Sequence, residues 1–80
     1  MPKQKILSGK DVVSIFGSLG FVVVSQKGSH VKLERTIVDG KEMLIVPNHK
    51  ELDRGTLRAI YTQALKYVSV EILQKHFYIV

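Results

Sequence analysis

The chain has 80 residues, no cysteine and a formal net charge of +5, from twelve Lys and Arg against seven Asp and Glu. This length predicts a single domain over residues 1–80, the lack of cysteine excludes disulfides and thiolate metal sites, and no apolar stretch approaches the roughly 20 residues of a membrane helix. The excess of positive charge favours an anionic partner, with nucleic acid as the leading candidate.

A first helix is predicted from about residue 9 to residue 19. Ser8 and Asp11 fit a capping box variant, in which each side chain accepts a hydrogen bond from the other residue's backbone. Gly20 is a natural helix stop, because glycine readily adopts a left-handed conformation. One apolar stripe repeats with helical spacing between these signals, formed by Val12, Ile15, Phe16 and Leu19.

Three strands are predicted next, over residues 21–26, 29–36 and 42–46. Lys27-Gly28 separates the first two strands as a β-hairpin, Asp39-Gly40 marks the second turn, and Pro47 ends the third strand. Because strand side chains alternate between faces, His30 should face away from the core. Lys32 and Glu34 share its face, and Val31 and Leu33 face the other way.

A second helix is predicted from about residue 54 to residue 66, with Asp53 as its cap. Its apolar positions are Leu57, Ile60, Tyr61, Ala64 and Leu65. Ser69 can cap a short third helix whose apolar residues are Val70, Leu73 and Phe77. Residues 78–80 form a hydrophobic tail for which the sequence suggests no role.

The order of these elements predicts an α+β fold, α-β-β-β-α, with a three-stranded antiparallel sheet and a short extra helix at the carboxyl end. Each main helix has one apolar stripe to bury, so both should lie on one face of the sheet. The opposite face should stay open, and His30 and Lys32 should emerge there.

The segment from Gln26 to Lys32 contains the residues best suited to chemistry. Imidazole, with an unperturbed pKa of about 6.5, takes and gives protons near neutral pH, so His30 is a candidate acid or base. Lys27 and Lys32 favour a phosphate nearby, Gly28 permits a close approach to the backbone, and Ser29 adds a hydroxyl donor. Taken alone, a surface histidine in a strand is usually an ordinary solvated residue.

Three short motifs occur in order along the chain, namely Gly28-Ser29-His30, Val46-Pro47-Asn48-His49 and Gly55-Thr56-Leu57-Arg58-Ala59-Ile60. Together they resemble the HicA family of toxins, the mRNA interferases of bacterial and archaeal type II toxin–antitoxin systems. That family has a fold similar to the double-stranded-RNA-binding domain, in agreement with the element order predicted above. The resemblance does not extend to the segment from Tyr67 onward.

The resemblance implies that His30 is the catalytic residue of an endoribonuclease that cuts mRNA without a metal or other cofactor. It also implies a HicB-like antitoxin that shields the surface around His30. The predicted RNA-binding residues are Lys27, Gly28, Ser29, Lys32, His49 and Arg58. His49 can instead brace the second helix, and Arg54 and Arg58 can instead belong to a solvated helix face. The proton for the leaving oxygen can come from water, a lysine or His49.

Two other functions are compatible with the sequence. One is a non-catalytic RNA-binding module with the same fold, and the other is a scaffold that binds an acidic protein. The amino-terminal segment has no apolar stretch typical of a secretory signal, so a cytoplasmic protein with no membrane partner is expected.

Overall fold

A three-stranded antiparallel sheet is the centre of the computed structural model, which describes residues 3–79. In chain order the elements are β1 (Lys3–Gln4), α1 (Gly9–Ser18), β2 (Val22–Lys27), β3 (His30–Ile37), β4 (Gly40–Pro47), α2 (Arg54–Ala64), α3 (Val70–Phe77) and β5 (Tyr78–Ile79). The central sheet has the order β2-β3-β4. The predicted α+β fold is confirmed, with element ends that differ from the predicted ones by one or two residues.

Local capping interactions begin each helix where the sequence predicted. Ser8 and Asp11 form the capping box of α1, with Asp11 N donating to Ser8 Oγ at 3.0 Å and Ser8 N donating to Asp11 Oδ2 at 2.9 Å. Asp53 caps α2 by accepting from Thr56 N at 2.7 Å, and this hydrogen bond lowers the pKa of its carboxyl. Ser69 caps α3. These caps satisfy backbone N–H groups that have no partner within the helix.

The sheet has one covered face and one open face. The core face of β3 and β4 carries Val31, Leu33, Leu44 and Val46, all buried against the helices. The helices contribute the rest of the core, chiefly through Val12, Phe16, Leu57, Ile60, Ala64, Leu73 and Phe77. The open face carries the intervening residues, including His30, Lys32 and Ile45. The sheet therefore separates the hydrophobic core from the face that carries His30.

Leu65, one of the apolar positions of the second helix, was expected to be buried and is exposed, so that part of the prediction is wrong. It is 43% exposed because α2 ends at Ala64 and Leu65 is its carboxyl-terminal cap, at the margin of the apolar stripe. In α3, Leu73 and Phe77 are buried, whereas Val70 is 41% exposed as the first residue of the helix. Tyr61 is half-buried and packs against the core, as expected.

Arg35 joins three parts of the fold on the core face of β3. Its Nε donates to Glu42 Oε1 at 2.5 Å, while Nη1 and Nη2 donate to the backbone oxygens of Leu19 at 2.8 Å and Tyr67 at 3.1 Å. Its guanidinium lies 4.7 Å from the ring centre of Phe21. The end of α1, the sheet and the connection from α2 to α3 are thus held by one side chain.

A second sheet, of two short strands, joins the ends of the described chain. Lys3 pairs with Ile79 and Gln4 with Tyr78, and Lys5 N extends the pairing by donating to Phe77 O at 2.8 Å. The predicted hydrophobic tail therefore has a structural role at Tyr78 and Ile79. Val80, its last residue, lies outside the described residues.

Candidate active site

His30 is the first residue of β3 and follows a two-residue hairpin turn of Gly28 and Ser29. Gly28 has φ +60°, whereas Ser29 does not have a positive φ. A positive φ at the first turn position alone fits a type II′ turn, which favours glycine there. Asn48 N donates to Ser29 O at 2.6 Å, so the turn is fixed to the end of β4. The histidine side chain is exposed, as predicted.

A recess of about 420 Å³ on the open face surrounds this histidine. Its lining residues are Ser25, Lys27, His30, Lys32 and Ile45. Three strands contribute to it, because Lys27 pairs with His30 across β2 and β3, and Lys32 pairs with Ile45 across β3 and β4. An imidazole, two ammonium groups and a hydroxyl therefore meet around a small opening to solvent. We call this opening the histidine recess.

Ser25 was not predicted as a site residue, and a β-bulge explains why. Val23 pairs with Leu33 of the core face, whereas Ser25 pairs with Lys32 of the open face, and the register shifts between them. Regular alternation would have put Val23 and Ser25 on the same face. The extra residue changes the side on which the strand presents its remaining side chains, so Ser25 lies beside the histidine.

The two lysines of the histidine recess differ in their charge partners. Lys32 Nζ lies 3.5 Å from Glu34 Oε2, and Glu34 also pairs with Lys41 at 3.6 Å. Lys27 forms no ion pair with a carboxylate of residues 3–79. Glu34 therefore offsets part of the positive charge of Lys32, while that of Lys27 is directly available to an anion.

The other predicted site residues lie outside the recess. Gly28 and Ser29 form the turn at its edge. His49 is exposed in the loop after β4, where its backbone oxygen accepts from Gly9 N at 2.8 Å, and its charge contributes to the low pKa of Asp53. Arg58 lines a different cleft, together with Arg54. His49 is thus placed near the start of both main helices and does not line the histidine recess.

The described residues contain neither a candidate metal-binding cluster nor a candidate membrane-spanning helix. No group of three or more His, Asp or Glu side chains in residues 3–79 comes together in a way that could hold a metal ion. No helix in this part of the chain is long and apolar enough to span a bilayer.

A protein-family model matches most of the chain. The model of the HicA toxins of bacterial toxin–antitoxin systems matches residues 9–65. The chain belongs to the HicA toxin family. No curated protein and no solved structure matches it. The matched region of this HicA protein runs from α1 through α2 and includes His30 and its turn, whereas β1, α3 and β5 lie outside it.

Proposed function

We propose that this HicA protein is an endoribonuclease that cleaves mRNA without a metal, with His30 as its general acid or base. The observation that carries the proposal is the exposed imidazole of His30 in a recess shared with Lys27 and Lys32. Membership of a toxin family supports a destructive activity held in check by a partner. The double-stranded-RNA-binding-like order α1-β2-β3-β4-α2 and the charge of +5 support RNA as the substrate.

The proposed reaction begins at a ribose 2′-hydroxyl placed against His30. A neutral imidazole takes the hydroxyl proton, the 2′-oxygen forms a bond to the adjacent phosphorus, and the bond from phosphorus to the 5′-oxygen breaks. The products are a 2′,3′-cyclic phosphate and a free 5′-hydroxyl, which receives a proton from water, from a lysine or from a protonated imidazole. Because DNA lacks the 2′-hydroxyl, this route is confined to RNA.

The neighbouring residues have distinct roles in this proposal. Lys27 and Lys32 face the same opening as His30, so their ammonium groups stabilise negative charge that builds on the phosphoryl oxygens. Gly28 and Ser29 form the turn beside the histidine, where a strand of RNA can approach the backbone closely. His49 and Arg58 lie farther along the loop and α2, and they contact the flanking RNA.

A HicB-like antitoxin is the proposed protein partner. Toxin–antitoxin pairing implies that the toxin is silenced by contact. Covering the histidine recess is the simplest way to achieve this, since the recess is shallow and lies on a sheet face with no other covering in residues 3–79.

The decisive experiment is induced expression of wild type and His30→Ala in a bacterial host, with growth and mRNA integrity followed over time. General acid–base help is typically worth about 10²- to 10⁴-fold, so His30→Ala should abolish toxicity and transcript cleavage. The exposed side chain contributes little packing, so thermal unfolding should be unchanged. His49→Ala is the matched histidine control and should weaken cleavage without abolishing it.

Purified protein completes this test. Wild type should cut RNA in the presence of EDTA and leave DNA of matching sequence intact. Wild type that leaves transcripts and growth untouched, or cleavage that persists in His30→Ala, would refute the assignment.

A non-catalytic RNA-binding module is the second candidate. The histidine recess favours it in one respect, because His30 is the only acid–base group of usual catalytic type among its lining residues and no carboxylate accompanies it. Such a module would bind RNA with similar affinity in wild type and His30→Ala, and neither protein would cut it.

A further inference from the structure

A second cleft lies away from the histidine recess and is rich in positive charge. It has a volume of about 800 Å³ between the amino-terminal segment, the loop before α2 and the first turns of α2. Its cations are Lys3, Lys5, Arg54 and Arg58, and its carboxylates are Glu51 and Asp53. Four positive and two negative groups leave a net charge of +2. We call this opening the basic cleft.

The cations of the basic cleft are available to a ligand. None of the four forms an ion pair with a carboxylate of residues 3–79, where the observed pairs involve Lys32, Arg35 and Lys41 instead. Of the two carboxylates, Asp53 is already engaged as the cap of α2. Lys5, which lines the cleft, also donates from its ammonium group to the backbone oxygen of Lys75 at 3.2 Å.

The basic cleft is built partly from residues outside the HicA match. Lys3, Lys5 and Tyr78 come from the terminal two-stranded sheet, whereas the family match covers residues 9–65. The Tyr78 ring is held edge-on to Tyr61, with 5.5 Å between ring centres, and it lines the cleft. The residues of the family match therefore line one side of the cleft, and the paired terminal segments line the other.

The basic cleft and the histidine recess lie at the same end of the sheet. Pro47 pairs with His30, and Asn48 N then donates to Ser29 O, so the loop toward α2 starts beside the hairpin turn. Farther along the same loop, Leu52 N donates to Leu7 O at 2.9 Å and brings the amino-terminal segment alongside. The loop of residues 48–53 therefore connects the end of the sheet beside the histidine recess to the basic cleft.

We infer that the basic cleft is a second binding site for the phosphodiester backbone of the same RNA strand that is cut at His30. This inference rests on the proposed ribonuclease function. Evenly spaced phosphates suit a cleft lined by several Lys and Arg side chains and a tyrosine. An acidic protein segment fits less well, because Ile6 is the one exposed aliphatic side chain that lines the cleft, while Leu52 and Leu57 are only 3% and 1% exposed.

The test compares RNA of two lengths. A trinucleotide has two phosphodiesters and occupies one opening at a time, whereas a 12-nucleotide strand, roughly 40 Å long at about 3.4 Å per nucleotide, exceeds the 36 Å longest dimension of the protein. Both are made as 2′-O-methyl RNA so that they are not cut. Affinity is measured by fluorescence anisotropy over a series of salt concentrations.

The variant is Lys3→Gln/Arg54→Gln, which leaves the Lys5 hydrogen bond intact. It should weaken binding of the 12-nucleotide strand by roughly tenfold and reduce its salt slope by roughly 1.4, at about 0.7 per lost phosphate contact. Trinucleotide binding should weaken less, because the histidine recess keeps both of its lysines. The matched control is Lys66→Gln/Lys75→Gln, which removes two positive charges from exposed positions just beyond α2 and in the last turn of α3, outside the lining of both openings, and should change neither affinity.

Three outcomes would overturn the inference. The first is an equal loss of affinity for the 12-nucleotide strand in the variant and the control, which would mean that binding depends only on the net charge of the protein. The variant can bind the long strand as wild type does. It can also keep its RNA affinity but lose binding to a 12-residue polyglutamate peptide, which would assign the cleft to an acidic protein. Wild type that cuts no RNA would instead refute the proposed function, so the two failures are distinguishable.

Discussion

Gly9 holds the start of α1 against the loop that follows the end of β4. A Cβ added at this buried residue would lie 2.7 Å from Asn48 Cα and would also clash with Pro47 O. Both are backbone atoms, and Gly9 N itself donates to His49 O at 2.8 Å. The absence of a side chain at Gly9 therefore lets the helix approach the segment that lies beside His30.

Gly9→Ala should destabilise the fold, and Gly17→Ala is its matched control within the same helix. Overpacking against backbone typically costs about 1–3 kcal/mol, so the free energy of unfolding of Gly9→Ala should fall by that amount. A Cβ at Gly17 meets nothing within 4 Å, so Gly17→Ala should gain about 0.5–1 kcal/mol from helix propensity. Urea denaturation measures both, and equal shifts in the two variants would contradict this account of Gly9.

Glu34 is the residue that most affects the charge of the histidine recess from outside it. It pairs with Lys32, which lines the recess, and with Lys41, which does not. Exposed pairs of this kind are individually weak. Their effect here is to reduce the positive charge beside His30, because Lys32 is paired with the Glu34 carboxylate until a phosphate competes for it.

At the scale of the elements, Arg35 is the main polar connection between the sheet and the ends of the helices. Arg35→Met would leave Glu42, a largely buried carboxylate, and the oxygens of Leu19 and Tyr67 without their donor. We expect a loss of about 2–3 kcal/mol in the free energy of unfolding. Chemical denaturation measures this loss.

The double variant Arg35→Met/Glu42→Leu should recover part of the stability that Arg35→Met loses, because it removes the buried charge left behind. Lys41→Met, at an exposed neighbouring position of β4, should change stability by less than about 0.5 kcal/mol. A double variant less stable than Arg35→Met would show that the stranded carboxylate is not the source of the loss.

The order of the main elements was predictable because its signals are local. Helix caps, apolar periodicity and turn glycines all act within a few residues, and the structure confirms the caps, the turns and most of the apolar positions, with Leu65 as an exception. The strands β1 and β5 were not predictable, since two-residue strands have no periodicity and depend on a partner about 75 residues away. The role of Arg35 was hidden for the same reason, because its acceptors come from three distant segments.

The candidate site was predictable only where it follows from strand alternation. That rule placed His30 and Lys32 on the open face. It failed for Ser25 because a β-bulge reverses the side on which the end of β2 presents its residues. His49 and Arg58 lie in a loop and on a helix whose positions are set by tertiary packing, so their distance from the histidine recess could not be inferred from spacing.

At the scale of the whole molecule, the core extends beyond the region that matches the HicA family. Phe77 is fully buried, with its ring centre 6.0 Å from that of Phe16 and 5.7 Å from that of Tyr61. Leu73 and Val68 are buried with it. The segment after residue 65 therefore packs as part of the same core as α1 and α2.

Phe77→Ala should accordingly cost about 3–5 kcal/mol, which is most of the stability of a small domain. The expected result is a largely unfolded protein at 37 °C by circular dichroism. Ile72→Ala, at a 41% exposed position of the same helix, is the matched control and should cost less than about 1 kcal/mol. A fully folded Phe77→Ala protein would mean that α3 is dispensable to the core.

The hydrogen bond from Asn48 to Ser29 also determines which partner has to adapt on binding. With the hairpin turn fixed to this loop, and the loop fixed in turn to the amino-terminal segment, the spacing between the two proposed phosphate sites is set before any RNA arrives. The entropic penalty of fitting both then falls on the nucleic acid, which must curve to match. A flexible single strand can bend in this way more easily than a stiff duplex. The rigidity of the protein therefore favours single-stranded RNA over double-stranded RNA.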